Sequence, residues 1–249
     1  MLLYRTIDDG VEVEVRRYES TTELWRDGIL HTSYCADTPV TGDVWDCLAL
    51  PSILLPTPPQ RVLILGLGGG AALNLLSKYQ HCPKIVAVDL SPVCIDIFDR
   101  FFRDCYSESE IELVQKDARC FVDEYQGLPF DYVVDDVFCE DDEGEPVRAI
   151  AFDDQWYGDL CRLMTPESVL VANFGDSDER MRSCLPDIDF EQSRENGMVF
   201  RSTESLNEIV VLTENKASPR KFWSALQSHP SWGSLEAKRG LTLKTRQLT

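Results

Sequence analysis

The chain has 249 residues, 43% apolar and 27% charged, enough for one large α/β domain with a small appendage and ordinary for a globular protein. Its net charge of −19 argues against a nucleic-acid partner, whose affinity comes largely from neutralised phosphates, and favours cationic ligands. No stretch approaches the roughly 20 apolar residues of a membrane span, and the N-terminus lacks the basic-then-apolar pattern of a secretory leader, so a cytoplasmic location is expected.

Near the N-terminus, Val11, Val13 and Val15 alternate with Glu12, Glu14 and Arg16, the period of two that marks a half-buried strand. Thr21 to Trp25 and Ile29 to Tyr34 predict two more strands, joined through the turn Arg26-Asp27-Gly28. These elements make residues 1–55 a small antiparallel β cap, with His31 expected on the surface of a hairpin. Pro51, Pro56, Pro58 and Pro59 punctuate the junction.

From Arg61 onward, apolar runs alternate with helical patterns, the signature of a parallel sheet covered on both faces. Strands are predicted at 61–65, 84–88, 111–115, 130–134 and 167–173, with helices near 70–80, 92–103, 118–126, 152–163 and 177–185. Gly197 to Ser202 and Glu208 to Thr213 read as a closing antiparallel pair. Five parallel strands plus a hairpin is the layout of class I methyltransferase-like (Rossmann-like) folds, assigned to residues 56–215. Residues 216–249 form a basic tail, expected to be helical and packed on the main domain; seven Lys/Arg stand there against one Glu.

The nine cysteines are scattered without a C-x-x-C pair and the three histidines are dispersed, so neither a disulfide framework nor a metal site is expected. Chemistry is concentrated elsewhere. Leu65-Gly66-Leu67-Gly68-Gly69-Gly70-Ala71 follows the first parallel strand and opens a helix, the geometry that brings backbone close to a nucleotide-like ligand. Asp89 ends the second strand 23 residues after Gly66, the place of an acid that grips a ribose diol, with helix capping the alternative. Asp117 and Asp136 follow the third and fourth strands; Asp117 reads equally as an adenine contact or a helix cap.

The glycine run, Val88-Asp89-Leu90-Ser91-Pro92, Asp117-Ala118-Arg119 and Asp131 to Phe138 together resemble the spermidine synthase (polyamine aminopropyltransferase) family, more closely its spermidine-synthase-like branch. The resemblance implies transfer from an S-adenosylmethionine-type cofactor, intact or decarboxylated, to a small cationic amine, with an aminopropyl group the family-level expectation. It implies Gly66, Leu67, Gly68, Gly69, Asp89, Leu90, Asp117, Ala118 and Asp136 as cofactor contacts, and Asp136, then Asp135, as the acid beside the attacking amine. A homodimer is the assembly it suggests. The chain departs from the family at Gly69, where the synthases carry an Asp that holds the amine of the decarboxylated cofactor. It departs again at Cys139, where a second active-site Asp is absent. A methyltransferase and an inactive nucleoside-binding scaffold are therefore kept as alternatives. Trp45 and Asp46 of the cap, with Glu140 and Asp141, are candidates to gate the substrate. Residues 135–145 hold seven acids, a funnel for a cation or a solvated loop.

Overall fold

The structure is a computed structural model that describes residues 1–35, 40–103, 109–141, 144, 146–188, 196–233 and 243–248. Four strands open the chain: β1 (Leu2–Asp8), β2 (Val11–Tyr18), β3 (Thr21–Arg26) and β4 (Ile29–Cys35), paired in that order as an antiparallel sheet. Asp27 and Gly28 both have positive φ, at 41° and 81°, the conformation a two-residue hairpin turn demands. β1 has no clean alternation and escapes the sequence pattern. Glu14 also departs from expectation: it is 3% exposed and paired with Arg5 and Arg16, so its strand is covered more fully than a polar-out pattern implies.

A short helix α1 (Val44–Ala49) leads into the main domain. Its elements are β5 (Arg61–Leu65), α2 (Ala71–Gln80), β6 (Lys84–Asp89), α3 (Pro92–Ile97), β7 (Glu110–Gln115), α4 (Ala118–Glu124) and β8 (Phe130–Asp135). A hairpin follows, β9 (Phe138–Glu140) and β10 (Pro146–Arg148), then α5 (Asp154–Arg162), β11 (Met164–Phe174), α6 (Ser177–Met181), β12 (Asn196–Arg201), β13 (Glu208–Thr213), α7 (Pro219–Ser228) and β14 (Lys244–Gln247). The large sheet runs β14-β12-β13-β11-β8-β5-β6-β7. β11, β8, β5, β6 and β7 are parallel, and β13, β12 and β14 are antiparallel to their neighbours. This is the class I methyltransferase-like arrangement expected, lengthened by one edge strand.

That edge strand is a correction to the tail, which is not only helical. Lys244-Thr245-Arg246-Gln247 has no apolar alternation to announce a strand, yet it pairs with β12 from Met198 to Arg201. An edge strand needs partners on one side only. The tail also seats Trp232 against Tyr79, with ring centroids 4.8 Å apart.

Two apolar layers sandwich the sheet because successive strand side chains face opposite ways. Val62 and Ile64 join one layer with Tyr132, Val134 and Trp232, whereas Leu63 and Leu65 join the other with Val133, Trp156 and Phe174. Residue 135 continues the face of Val133, and that parity decides what Asp135 does. Trp156 is wholly buried; cutting such a side chain to Ala costs about 3–5 kcal/mol.

Candidate active site

At the carboxyl end of the sheet, the turn from β5 to α2 is made by backbone. Gly66, Gly68 and Gly70 have φ of 87°, 51° and 78°, a region that favours glycine. A Cβ on Gly66 would overlap the backbone carbonyl of Asp136, and one on Gly70 would lie 2.5 Å from the ring of Phe98. The loops after β5 and β8 are thus in direct contact, tied by Asp136 N donating to Leu65 O at 2.9 Å.

Asp89 lies beside the turn, half-buried. Its Oδ2 accepts from Leu67 N at 2.9 Å and Gly68 N at 3.2 Å, and its Oδ1 from Ser91 N at 2.9 Å. Burial raises its pKa, while the Ser91, Leu67 and Gly68 amides hold it down. A carboxylate has about four acceptor positions, so these three bonds leave room for a further hydroxyl donor. The remaining amides of the turn are also spent: Gly66 N donates to Val88 O, Gly69 N to Thr32 Oγ1 and Gly70 N to Leu67 O. The turn therefore offers a close backbone wall rather than the open cradle of amides that binds phosphate. Leu90, 69% exposed, carries an apolar surface at the rim next to Asp89.

Asp117 is the N-cap of α4, its Oδ1 accepting from Cys120 N at 2.9 Å. It is exposed at the strand end beside β6, where Lys116 N donates to Asp89 O, and Ala118 beneath it is buried.

The paired acids at the end of β8 diverge. Asp135 is wholly buried, and Arg148 Nη2 of β10 donates to it at 2.6 Å and Trp156 Nε1 of α5 at 3.0 Å. Arg148 also donates to Ile150 O and Asn173 O, which fixes the base of the β9–β10 hairpin. Asp135 is thus a clasp for that hairpin, not an exposed second acid beside Asp136. Asp136 turns the other way, half-buried against the glycine turn, with Asn173 Nδ2 donating to its Oδ1 at 2.7 Å. Asn173 Oδ1 in turn accepts from Asn207 Nδ2, which fixes the orientation of the Asn173 amide. Burial is the main cause that raises the Asp136 pKa to about 7; neighbouring Asp135 and Asp89 push the same way, against Asn173 and Arg148.

The acidic stretch after it begins on the strand β9, which pairs with β10. Glu140 is half-buried on β9 and Asp141 is exposed beyond it; Asp142, Glu143 and Glu145 lie outside the described residues.

The cap meets the glycine turn and the start of α3 through residues that sequence reasoning missed. Thr32 on β4 touches Gly69. Arg26 Nη1 donates to Asp8 Oδ2 at 2.8 Å, and Ser91 Oγ donates to the same oxygen at 2.7 Å. His31 is half-buried rather than on the surface, its pKa lowered to about 4 by burial and then by the charge of Arg26. No spacing rule announces these contacts, which join the cap sheet to the β5–α2 turn and to the start of α3.

Trp45 and Asp46, expected to gate the site, are instead parts of the junction core. Trp45 is packed in the main apolar cluster. Asp46, 1% exposed, accepts from Thr41 N, Thr41 Oγ1 and Gly42 N and so fixes the approach to α1. Burial raises its pKa to about 6.

The family model described as "Spermine/spermidine synthase domain" matches residues 48–184. A polyamine aminopropyltransferase of Chromobacterium violaceum is 30% identical over 183 residues, covering 74% of this chain and 67% of the relative. Thermospermine synthase ACAULIS5 of Arabidopsis thaliana is 27% identical over 133 residues, covering 52% of this chain and 39% of that one. Several curated relatives are therefore matched over well under two thirds of their length. Among solved structures, a probable spermidine synthase from Corynebacterium glutamicum shares the fold, with a TM-score of 0.67 at 11% identity over 98% of this chain and 90% of the other.

Proposed function

The chain belongs to the spermine/spermidine synthase family, and on that premise we propose that its crevice binds an adenosyl sulfonium compound and transfers an aminopropyl group from it to a small cationic amine. The observation that carries this reading is Asp136: a half-buried carboxylate at a strand end, oriented by Asn173, with a pKa near 7, against the glycine turn.

The residues fit the cofactor. Gly66, Leu67, Gly68 and Gly69 give it a close backbone wall, held in place by Asp89 and Thr32. Asp89 takes a ribose hydroxyl at its remaining acceptor position, Leu90 supplies an apolar face for adenine, and Asp117 with Ala118 borders the base. When bound, the sulfonium group supplies a carbon already attached to a good leaving group. What the protein must add is alignment, worth about 7–11 kcal/mol when nucleophile and carbon are held in a near-attack geometry, and removal of a proton from the acceptor. A primary amine resembles lysine, with a pKa of roughly 10, and arrives protonated. Asp136 attracts and orients that ammonium through one carboxylate oxygen while Asn173 holds the other. With a pKa near 7 it is matched to receive the proton at neutral pH. Glu140 and Asp141, on the hairpin that Arg148 pins, add a negative approach for the cation.

The test is turnover with decarboxylated and intact S-adenosylmethionine against a panel of di- and polyamines, products identified by mass spectrometry. An acceptor gaining an aminopropyl group, with the thioadenosine co-product, is expected. Methyl transfer from the intact cofactor alone would overturn the reading in favour of a methyltransferase, and tight nucleoside binding without turnover in favour of a scaffold.

A further inference from the structure

Of the four glycines in the turn from β5 into α2, Gly69 is the one whose backbone does not ask for glycine. Gly66, Gly68 and Gly70 have positive φ; Gly69 does not. What excludes a side chain there is the cap. A Cβ on residue 69 would lie 2.7 Å from Thr32 Cβ, 2.7 Å from Thr32 Oγ1 and 2.8 Å from Thr32 Cγ2. Thr32 is in no position to yield. It is β-branched and so stiff at χ1, sits in β4 with 1% exposure, and uses its hydroxyl twice, accepting from Gly69 N at 2.8 Å and donating to His31 O at 2.5 Å.

We propose that Thr32 is a specificity-determining residue: by filling the space beside Gly69 it keeps any carboxylate off this part of the glycine turn. The buried contact between turn and cap is then a neutral hydroxyl and methyl. A sulfonium ligand whose tail ends in a bare ammonium gains no counter-charge from residue 69, and one whose tail also carries a carboxylate meets no repulsion there. The inference rests on the sulfonium-site reading above and deepens it, by placing tail selection in the cap rather than in the turn.

The experiment is calorimetric titration of the full chain with three probes: 5′-methylthioadenosine, which has no charged tail, S-adenosylmethionine, and its decarboxylated form. Wild type is expected to bind the two charged ligands within about tenfold of each other. Thr32→Gly/Gly69→Asp should shift that ratio toward the decarboxylated form by at least about tenfold, the scale of one added charge contact, whereas Thr32→Gly/Gly69→Ala should leave it unmoved. A purely structural role would lower every affinity alike. Melting supplies a second readout: Gly69→Ala should lower the Tm, and adding Thr32→Gly should restore part of the loss. The inference is overturned if wild type already prefers the decarboxylated ligand by well over tenfold. It is equally overturned if Gly69→Asp alone produces the shift, if the Asp double variant leaves the ratio unchanged, or if the two Ala variants melt additively. Binding of none of the three probes would instead bring down the sulfonium-site reading, and this inference with it.

Discussion

The candidate site has two sides built differently. On the glycine-turn side, bare backbone meets close neighbours: Gly66 abuts the Asp136 carbonyl, Gly69 abuts the Thr32 side chain, and each amide of the turn already has an acceptor. On the hairpin side the contacts are between charges: Asp135 with Arg148, and Asp136 under the influence of both. The first side is sensitive to volume and indifferent to charge at a distance. The second tolerates small changes of shape but not the loss of a charge. Adenosine recognition needs a close, flat surface, and proton transfer needs a tuned field, so each side suits the chemistry assigned to it.

Four experiments sharpen or break that contrast. The largest effect is expected from Gly66→Ala, which combines a positive φ with overlap onto the Asp136 backbone. Backbone strain of about 1–3 kcal/mol adds to a clash that cannot relax locally, so soluble yield, melting temperature and nucleoside binding should all collapse. A variant that binds and melts like wild type would show that the two loops are not in contact.

Arg148→Met comes next. It leaves Asp135 buried without its counter-charge, a change that costs about 3–5 kcal/mol when one partner of a buried pair is removed. Arg148→Met with Asp135→Asn should recover much of that loss in a denaturant titration, because the stranded charge is gone. Equal destabilisation by single and double variants would mean that Arg148 acts by packing alone.

Asp136→Asn should separate activity from stability. As the proton acceptor, Asp136 works when ionised, so wild-type kcat/KM should climb as pH rises through about 7. The variant should lose that limb and about 10²–10⁴ of the rate. Its effect on stability has the opposite sign. A carboxyl whose pKa is raised by folding binds more protons folded than unfolded between its unfolded value and about 7, so its contribution to stability declines as pH rises across that window. The Asn variant should therefore melt no lower than wild type at pH 8. A large fall in Tm there would make Asp136 a structural residue.

The smallest effect belongs to the hairpin tip. Glu140→Gln with Asp141→Asn should raise the KM for a polyamine a few-fold at low ionic strength, and the difference should fade by about 0.5 M salt as screening takes over. A salt-independent change would point to contact rather than to steering.

The parallel strands, the glycine turn and the strand-end acids are legible in the chain itself, because period-two burial on both faces leaves continuous apolar runs with the functional residues stranded at their ends. Sequence parity even separates Asp135 from Asp136 once one knows that Trp156 covers the face of Val133. Other features have no local signature. β14 is polar and finds its place only because β12 offers a free edge. Asp46 reads as a gate and is a turn staple, since the three donors that surround it come from residues four and five positions away in a loop without a pattern. Arg148, Asn173 and Thr32 act across gaps of 13 to 37 residues. Propensity and periodicity are properties of neighbours along the chain, and they determined the fold and the floor of the crevice. Which charge is neutralised, which acid is left poised and which glycine must stay bare depend on contacts between separate elements, and those only the packed structure decides.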